Sequence, residues 1–395
     1  MWLFSLDRRL LALFAIVAAV VVICAIGRAA TGGGDFKNPY RVARIFWQTG
    51  TLDIRGEPRY PPTIRVLMAP LAALPLVVAS AIWTLVTLAA VIALPGLFER
   101  LTGASLREQA LPWLAVLTFF NDAVALGQMD PVNLFLVTYG FVLVREARPV
   151  TGASLIGFAG LIKVLPVMFW SVLVARRRAA PALAGALLTL VAGGGLLVVF
   201  AGWGPGLASV AEWVGVLRER EGAWGLIDTH NSLRENNEAL AVVLARTFGD
   251  MDPALTRNAL SLARLPLHLI WAVWLAIVAA MVATWLACAW RVRRAPSARA
   301  WLGMFALTAG VMLAVTHIAW PHYFLWLFPA VLFLAHRQRV LVGVAVAGQI
   351  GMMVPVLRGL GCHMALALAL FALVARDLLA ATRGVRQPAS RSAAV

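Results

Sequence analysis

Long apolar runs separated by short polar or basic stretches make up most of the chain. A helix that spans a bilayer needs about 20 mostly apolar residues. The runs predict twelve spans, near 10–28, 62–97, 110–123, 131–145, 151–162, 164–175, 180–202, 265–290, 298–317, 321–335, 338–355 and 363–380. Several are shorter than about 17 residues and have to be tilted, re-entrant or buried within the bundle. The pattern therefore predicts an all-α polytopic membrane protein.

Clusters of arginine between the runs predict the orientation of the spans. Loops on the cytoplasmic side of a membrane are enriched in arginine and lysine. Placing every cluster inside puts both termini in the cytoplasm and leaves two long segments, 29–61 and 203–264, on the outer side. The run 62–97 contains Pro70 and Pro75, which leaves open a kinked span or a hairpin. We expect one integral membrane domain over residues 1–380, followed by a disordered, low-complexity cytoplasmic tail over 381–395.

The composition excludes two large classes of protein. Hydrophobic residues make up 62% of the chain and charged residues 13%. Soluble domains have about 45–50% apolar and about 25% charged residues, and disordered chains need low hydrophobicity and many charges. A soluble globular enzyme and a disordered chain are both excluded.

The net charge of +16 does not indicate a nucleic-acid partner. The basic residues lie in short clusters between apolar runs, as cytoplasmic loops do, whereas nucleic-acid binding needs a basic patch on a soluble face. The three cysteines, Cys24, Cys288 and Cys362, are far apart in the chain. Their spacing provides neither a disulfide framework nor a metal site.

The segment TGGGDF, residues 31–36, brings an aspartate to the outer membrane surface directly after the first run. Its glycines allow unusual backbone angles and close approach. Asp35 is either the N-cap of a following helix or a functional carboxylate. Both roles are compatible, because a cap also fixes the direction in which the carboxylate points.

Two further outer segments carry polar groups close to the bundle. Tyr60 begins the rigid sequence YPP, and Arg59 and Arg65 flank it, where they could hold a phosphate. The short stretch 121–133 contains Gln128 and Asp130. It is either an ordinary polar loop or the lining of a cavity.

Lys163 and His322 are placed where apolar surroundings make polar groups costly. Lys163 lies in the apolar run GFAGLIKVLPVMFW, with no acidic residue within ten positions, so we expect it to meet an anion or to reach the membrane surface. His317 and His322 flank a Trp-Pro turn between two predicted spans. Together these groups predict an outer cavity with carboxylates, cations and imidazole, which suits transfer from a lipid-phosphate donor.

The motifs TGGGDF, YPP with PLAALP, GQMD, GLIKVLP and HIAWPHYF occur in an order that resembles glycosyltransferase family 87. The resemblance extends from about residue 30 to residue 335. It implies the GT-C fold, a polyprenyl-phosphate sugar donor, often with mannose, and an inverting mechanism. No metal or other cofactor is expected, because the leaving group is already a phosphate.

The resemblance also implies roles for individual residues. Asp35 corresponds to the catalytic base of the family, and Lys163 to the lysine of its glycine-rich G-x-x-K segment, where it could bind the donor phosphate. His322 matches the first histidine of the family's late motif, whereas Tyr323 replaces the second. The family's GQ-x-N becomes Gly127 to Asp130, with aspartate in place of asparagine. Asn236 belongs to a stretch that only approximates the family's N-Q-S-L.

We therefore expect a membrane glycosyltransferase that acts on a lipid or glycan acceptor at the outer face, with membrane lipids as its surroundings. The bias toward arginine over lysine favours a GC-rich bacterial source, an inner-membrane location and a site that faces the periplasm. A transporter or flippase for a lipid-linked or anionic solute is the alternative, because twelve spans with internal charges suit it equally. No repeat of broken helices in the two halves supports it. A polymerase or ligase of surface polysaccharide is a third possibility.

Overall fold

The computed structural model describes residues 23, 27, 34–221, 234–250, 261–295 and 297–381. The first predicted span and residues 382–395 of the predicted tail lie outside these ranges, apart from residues 23 and 27. Sixteen α-helices are found in the described part. They are α1 Lys37–Thr49, α2 Thr63–Ala72, α3 Leu76–Thr102, α4 Leu106–Leu126, α5 Asp130–Arg145, α6 Pro149–Ile162, α7 Trp170–Ala175, α8 Ala179–Ala201, α9 Trp203–Glu221, α10 Leu240–Phe248, α11 Leu267–Val292, α12 Ala298–Val315, α13 Phe328–Phe333, α14 Gln338–Met353, α15 Pro355–Gly359 and α16 Cys362–Ala381. Three short 3-10 helices occupy Gly34–Phe36, Leu165–Phe169 and Pro321–Leu327.

Six of the described helices are long and apolar enough to cross a membrane. They are α3, α4, α8, α11, α12 and α16. Other predicted spans form shorter apolar helices, and the stretches 164–175 and 321–335 begin as 3-10 helices. The run 62–97 consists of two helices, α2 and α3, because the chain turns at residues 73–75 and leaves Pro75 in an extended conformation. The helical membrane architecture is confirmed, but the count of twelve spans is not.

Helix α12 forms the centre of the bundle, and 83% of its 18 residues are buried. Phe305 lies in contact with the rings of Phe98, Phe141 and Phe169 from three other helical segments. Gly310 allows α16 to approach closely, since a Cβ there would lie 2.8 Å from the ring of Phe371. In contrast, only 11% of an 18-residue apolar stretch of α11 is buried, which leaves an apolar face for lipid.

Helices α1 and α2 pack against each other near the end of the bundle that carries Asp35. The Tyr40 hydroxyl donates to the Leu74 carbonyl at 2.7 Å, and Arg44 donates to the Ala72 carbonyl at 2.6 Å. These contacts satisfy carbonyls at the end of α2 that have no partner within the helix. The paired helices support the loop 50–62, which leads into the candidate site.

Candidate active site

A tight turn positions the Asp35 carboxylate. Gln128 Nε2 donates a hydrogen bond to Asp35 Oδ2 at 2.5 Å. Gly127, just before it, has φ +70°, and a Cβ at this position would lie 2.8 Å from Phe36 Cβ. Its carbonyl accepts a hydrogen bond from Trp83 Nε1 at 3.0 Å. Glycine is therefore required both for the backbone angle and for the close approach that brings Gln128 to Asp35.

Asp35 lines a cavity of about 370 Å³ at this end of the bundle. The cavity carries two carboxylates, three guanidinium groups and one imidazole. Its lining residues are Asp35, Arg59, Asp122, Leu126, Arg234, Asn236, Trp320, Pro321, His322, Met352 and Arg358. Such a set matches the carboxylates, cations and imidazole that the sequence predicts for one outer cavity.

The cavity brings together four of the nine predicted site residues: Asp35, Arg59, Asn236 and His322. Asp122, Arg234 and Arg358 are additional polar lining groups that were not predicted as site residues. Asp122 belongs to the polar stretch 121–133, which was a usable signal. Nothing in the sequence around Arg358 distinguishes it from an ordinary loop arginine.

His322 is a buried histidine in the wall of the cavity. Its residue is 1% exposed, and neither ring nitrogen forms a hydrogen bond within the described part of the chain. The Asp122 carboxylate is close to it, with Oδ2 at 3.5 Å from His322 Nδ1. Buried polar side chains nearly always have a partner, so an unsatisfied imidazole in a cavity wall indicates a position for a ligand.

Lys163 finds its anion within the chain. Its ammonium donates to Asp130 Oδ2 at 2.8 Å, and Trp326 Nε1 donates to Asp130 Oδ1 at 3.2 Å. The ammonium also lies 3.7 Å from the centre of the Tyr323 ring, a cation–π contact. Lys163 and Asp130 are both buried and neither lines the cavity. The expectation that Lys163 meets an anion is thus fulfilled by a carboxylate of the same protein.

The two arginines beside the YPP sequence have different environments. Arg59 lines the cavity and holds Glu57 through two hydrogen bonds of 2.6 and 2.7 Å. Arg65 is fully buried and donates to the carbonyls of Asp53, Ile54, Glu57, Tyr60 and Pro61. Its donors satisfy the backbone of the loop, so the phosphate contact expected of Arg65 gains no support from the structure. Tyr60 is buried beside this loop, outside the cavity lining.

Arg246 connects the segments that bring Arg234 and Arg358 to the cavity wall. Its guanidinium donates to the carbonyls of Arg234, Asn237 and Gly359, and burial lowers its pKa to about 10, which leaves it charged at neutral pH. Asn237 Oδ1 accepts from the Ala319 backbone N–H at 2.9 Å. Three segments that are distant in sequence are therefore tied together behind the cavity.

A second buried pair lies behind the same wall. Glu238 Oε1 is 2.5 Å from His363 Nδ1, and Glu238 Oε2 accepts from the His363 backbone N–H at 2.9 Å. His363 Nε2 lies 3.1 Å from the Gly348 carbonyl oxygen. With Cys362, these side chains place three metal-ligand atoms within 4.8 Å of one another, a grouping that cysteine spacing alone did not indicate. That the reaction needs no metal stays a prediction.

Comparison with known families gives a match over most of the bundle. The model of glycosyltransferase family 87 matches residues 59–316, well over half of the chain. Lys163, Gln128 and Asn236 lie within this range, whereas Asp35 and His322 lie outside it. Among curated proteins, none matches the sequence at a significant level. The family match together with the helical architecture establishes that this chain belongs to glycosyltransferase family 87 and is a membrane glycosyltransferase.

Proposed function

We propose that the protein transfers a sugar, mannose in the first instance, from a polyprenyl-phosphate donor to a hydroxyl of a lipid or glycan acceptor. The observation that carries this proposal is the cavity in which the Asp35 carboxylate, the Arg59 guanidinium and the His322 imidazole meet. A carboxylate can accept the proton of an attacking hydroxyl. Cationic and hydrogen-bonding groups can stabilise a leaving phosphate.

Asp35 serves as the general base. Gln128 holds Oδ2, and within the described residues no hydrogen bond reaches Oδ1, which is left for the acceptor hydroxyl. The acceptor oxygen forms a bond to the anomeric carbon while the bond from that carbon to the phosphate oxygen breaks. The hydroxyl proton passes to Asp35, and the electron pair leaves on the phosphate. Attack opposite the leaving group inverts the anomeric configuration.

Arg59 and His322 stabilise the departing phosphate. The donor phosphodiester carries one negative charge, and the released monoester carries up to two, so cations in the wall favour the transition state over the bound donor. The buried imidazole of His322 gains its missing hydrogen-bond partner from a phosphate oxygen. Asn236, with a buried Oδ1 that lacks a partner, can bind a sugar hydroxyl.

In this proposal three buried residues support the cavity wall without lining it: Lys163, Asp130 and Tyr60. The ion pair of Lys163 with Asp130 holds Tyr323 and Trp326 next to His322. Direct contact of Lys163 with the donor phosphate requires its ammonium to leave Asp130. Arg65 stabilises the loop that carries Arg59, through its hydrogen bonds to the backbone carbonyls of that loop.

The proposed location follows from the distribution of charge along the helices. Gln128 precedes the first residue of α5 and Arg145 is its last residue, next to the ion pair of Arg100 with Glu146. Under the positive-inside rule, the cavity faces the outer side of a bacterial inner membrane and the termini lie in the cytoplasm. Twelve spans in total is part of the same proposal.

The test is to incubate the purified protein in lipid vesicles with radiolabelled polyprenyl-phosphate mannose and a native lipid extract. Label transferred to the extract, with the anomeric configuration inverted in the product, is expected. If polyprenyl-phosphate glucose or arabinose supports transfer and mannose does not, the sugar is wrong and the enzyme class stands. If no polyprenyl-phosphate sugar supports transfer, the proposed donor class is wrong.

A further inference from the structure

Two arginines in the cavity wall form no ion pair with any residue that the structure describes. Arg234 and Arg358 line the cavity, and within the described ranges no hydrogen bond or ion pair engages either guanidinium. The Nε of Arg358 is buried and has no hydrogen-bond partner among the described residues. Arg59, in contrast, donates from Nε and Nη2 to the two carboxylate oxygens of Glu57. A buried N–H without an acceptor is costly, so Arg358 indicates a place for an acceptor atom from outside the protein.

The fold holds these two arginines together. Arg246 donates to the carbonyl of Arg234 at 2.7 Å and to the carbonyl of Gly359, the residue after Arg358, at 2.8 Å. One guanidinium therefore ties the backbones of both segments, although they are far apart in the chain. Two like charges held on one wall repel each other, and the arrangement becomes favourable when an anion lies between them.

The proposed reaction places the donor phosphate at other residues of the cavity. A polyprenyl-phosphate sugar carries one negative charge, and in that reaction its phosphate contacts Arg59 and His322. Arg234 and Arg358 lie on segments 234–239 and 355–359, whereas His322 lies on the 3-10 helix Pro321–Leu327. The second pair of cations therefore has a different ligand.

We propose that Arg234 and Arg358 bind a negatively charged group, a phosphate or a carboxylate, on the acceptor. This inference rests on the proposed function, because it takes the acceptor hydroxyl to lie at Asp35 in the same cavity. The planar guanidinium matches both anions through paired hydrogen bonds. Arg234 lies within the range that the family model matches, and Arg358 lies beyond it.

The kinetic test separates the acceptor from the donor. A native lipid extract is divided by anion exchange into neutral and anionic lipids, and each fraction is offered with labelled donor to the wild type, Arg234→Gln, Arg358→Gln and Arg264→Gln. Arg264 is an exposed arginine that does not line the cavity, so it is the matched control. The wild type is expected to label the anionic fraction. The two cavity variants are expected to raise the KM for that fraction about 10- to 100-fold, as loss of a charged hydrogen bond does, with the KM for donor and the Arg264→Gln kinetics unchanged.

Either of two kinetic results overturns the proposal. One is efficient labelling of the neutral fraction by the wild type. The other is a rise in the KM for donor in Arg358→Gln as large as the rise in the KM for acceptor, which would assign the arginines to the donor phosphate.

A binding measurement tests the subsite even if no sugar is transferred. Glycerol 1-phosphate, with glycerol as its neutral analogue, is titrated into the detergent-solubilised protein in a calorimeter. Saturable binding of the phosphate, absent with glycerol and lost in Arg358→Gln but kept in Arg264→Gln, supports the subsite. Transfer absent with this binding present means that the proposed donor is wrong and the subsite stands. Binding that is absent in the wild type, or unchanged in Arg358→Gln, contradicts the subsite.

Discussion

Lys163 and Asp130 lie 33 positions apart in the chain and form a buried ion pair of 2.8 Å. The ring of Tyr323 lies next to the same ammonium. By the sequence resemblance, Tyr323 stands where the family has a histidine and Asp130 where it has an asparagine. Two of the positions at which the sequence departs from that pattern thus meet at one lysine. The aspartate supplies the negative charge that a buried ammonium needs, and the tyrosine ring covers it.

We predict that one substitution in this ion pair lowers the free energy of unfolding more than substitution of both residues. Lys163→Met leaves a buried carboxylate with Trp326 as its remaining donor, so we expect it to lower the free energy of unfolding by about 3–5 kcal/mol. The double variant Lys163→Met, Asp130→Leu removes both charges and should lose less than the single variant. Titration with SDS of the detergent-solubilised proteins measures both values.

The exposed pair between Arg100 and Glu146 is the control for that experiment. Both side chains are close to half exposed, so Glu146→Gln should cost below about 1 kcal/mol. Equal losses in Lys163→Met and Glu146→Gln would show that the buried pair does not form.

The turn at Gly127 predicts different effects on kcat for the same substitution at two glycines with positive φ. Gly127→Ala introduces a Cβ 2.8 Å from Phe36 Cβ and should move Gln128 away from Asp35, which lowers kcat for sugar transfer. Gly103 has a similar φ of +79° with no atom within 4 Å of the added Cβ. Gly103→Ala should therefore incur only the backbone strain, about 1–2 kcal/mol, and keep wild-type kcat. Similar kcat losses in both variants would mean that the Phe36 contact does not position the base.

The unsatisfied imidazole of His322 predicts opposite effects on stability and activity. His322→Phe removes two buried nitrogens that lack partners and keeps an aromatic ring, so the free energy of unfolding should stay equal or rise. Transfer should fall by more than about 100-fold, as it does when a preorganised stabilising group is lost. Unfolding by SDS and single-turnover transfer provide the two measurements. A variant that is strongly destabilised and yet active would show that His322 is a packing residue.

The sequence was sufficient to predict the membrane class, the helical architecture and the family, because these depend on composition, periodicity and ordered motifs. It was also sufficient to place Asp35 and His322 in one cavity. It did not indicate that Gln128 holds Asp35, because that contact joins residues 93 positions apart.

The number of spans and part of the site escaped prediction for physical reasons. An apolar run looks the same in sequence whether it forms a full membrane span or a short 3-10 helix followed by one or two α-helical turns. Residues 164–175 are of the second kind. Arg65 and Arg59 are alike in sequence, yet one satisfies backbone carbonyls and the other lines the cavity. The segment of Arg358 is tied to the site by the hydrogen bond from the Arg246 guanidinium to the carbonyl of Gly359, a contact between distant parts of the chain.

The most direct test of the catalytic role of Asp35 is single-turnover transfer from radiolabelled polyprenyl-phosphate mannose by the wild type, Asp35→Asn and Asp250→Asn. Asp250 is an exposed aspartate that does not line the cavity, so it controls for the loss of a charge. Asp35→Asn keeps the shape and the hydrogen bond to Gln128 but cannot accept a proton, so the rate should fall by about 10²–10⁴-fold while donor binding is retained. Transfer at the wild-type rate by Asp35→Asn would contradict the assignment of Asp35 as the base.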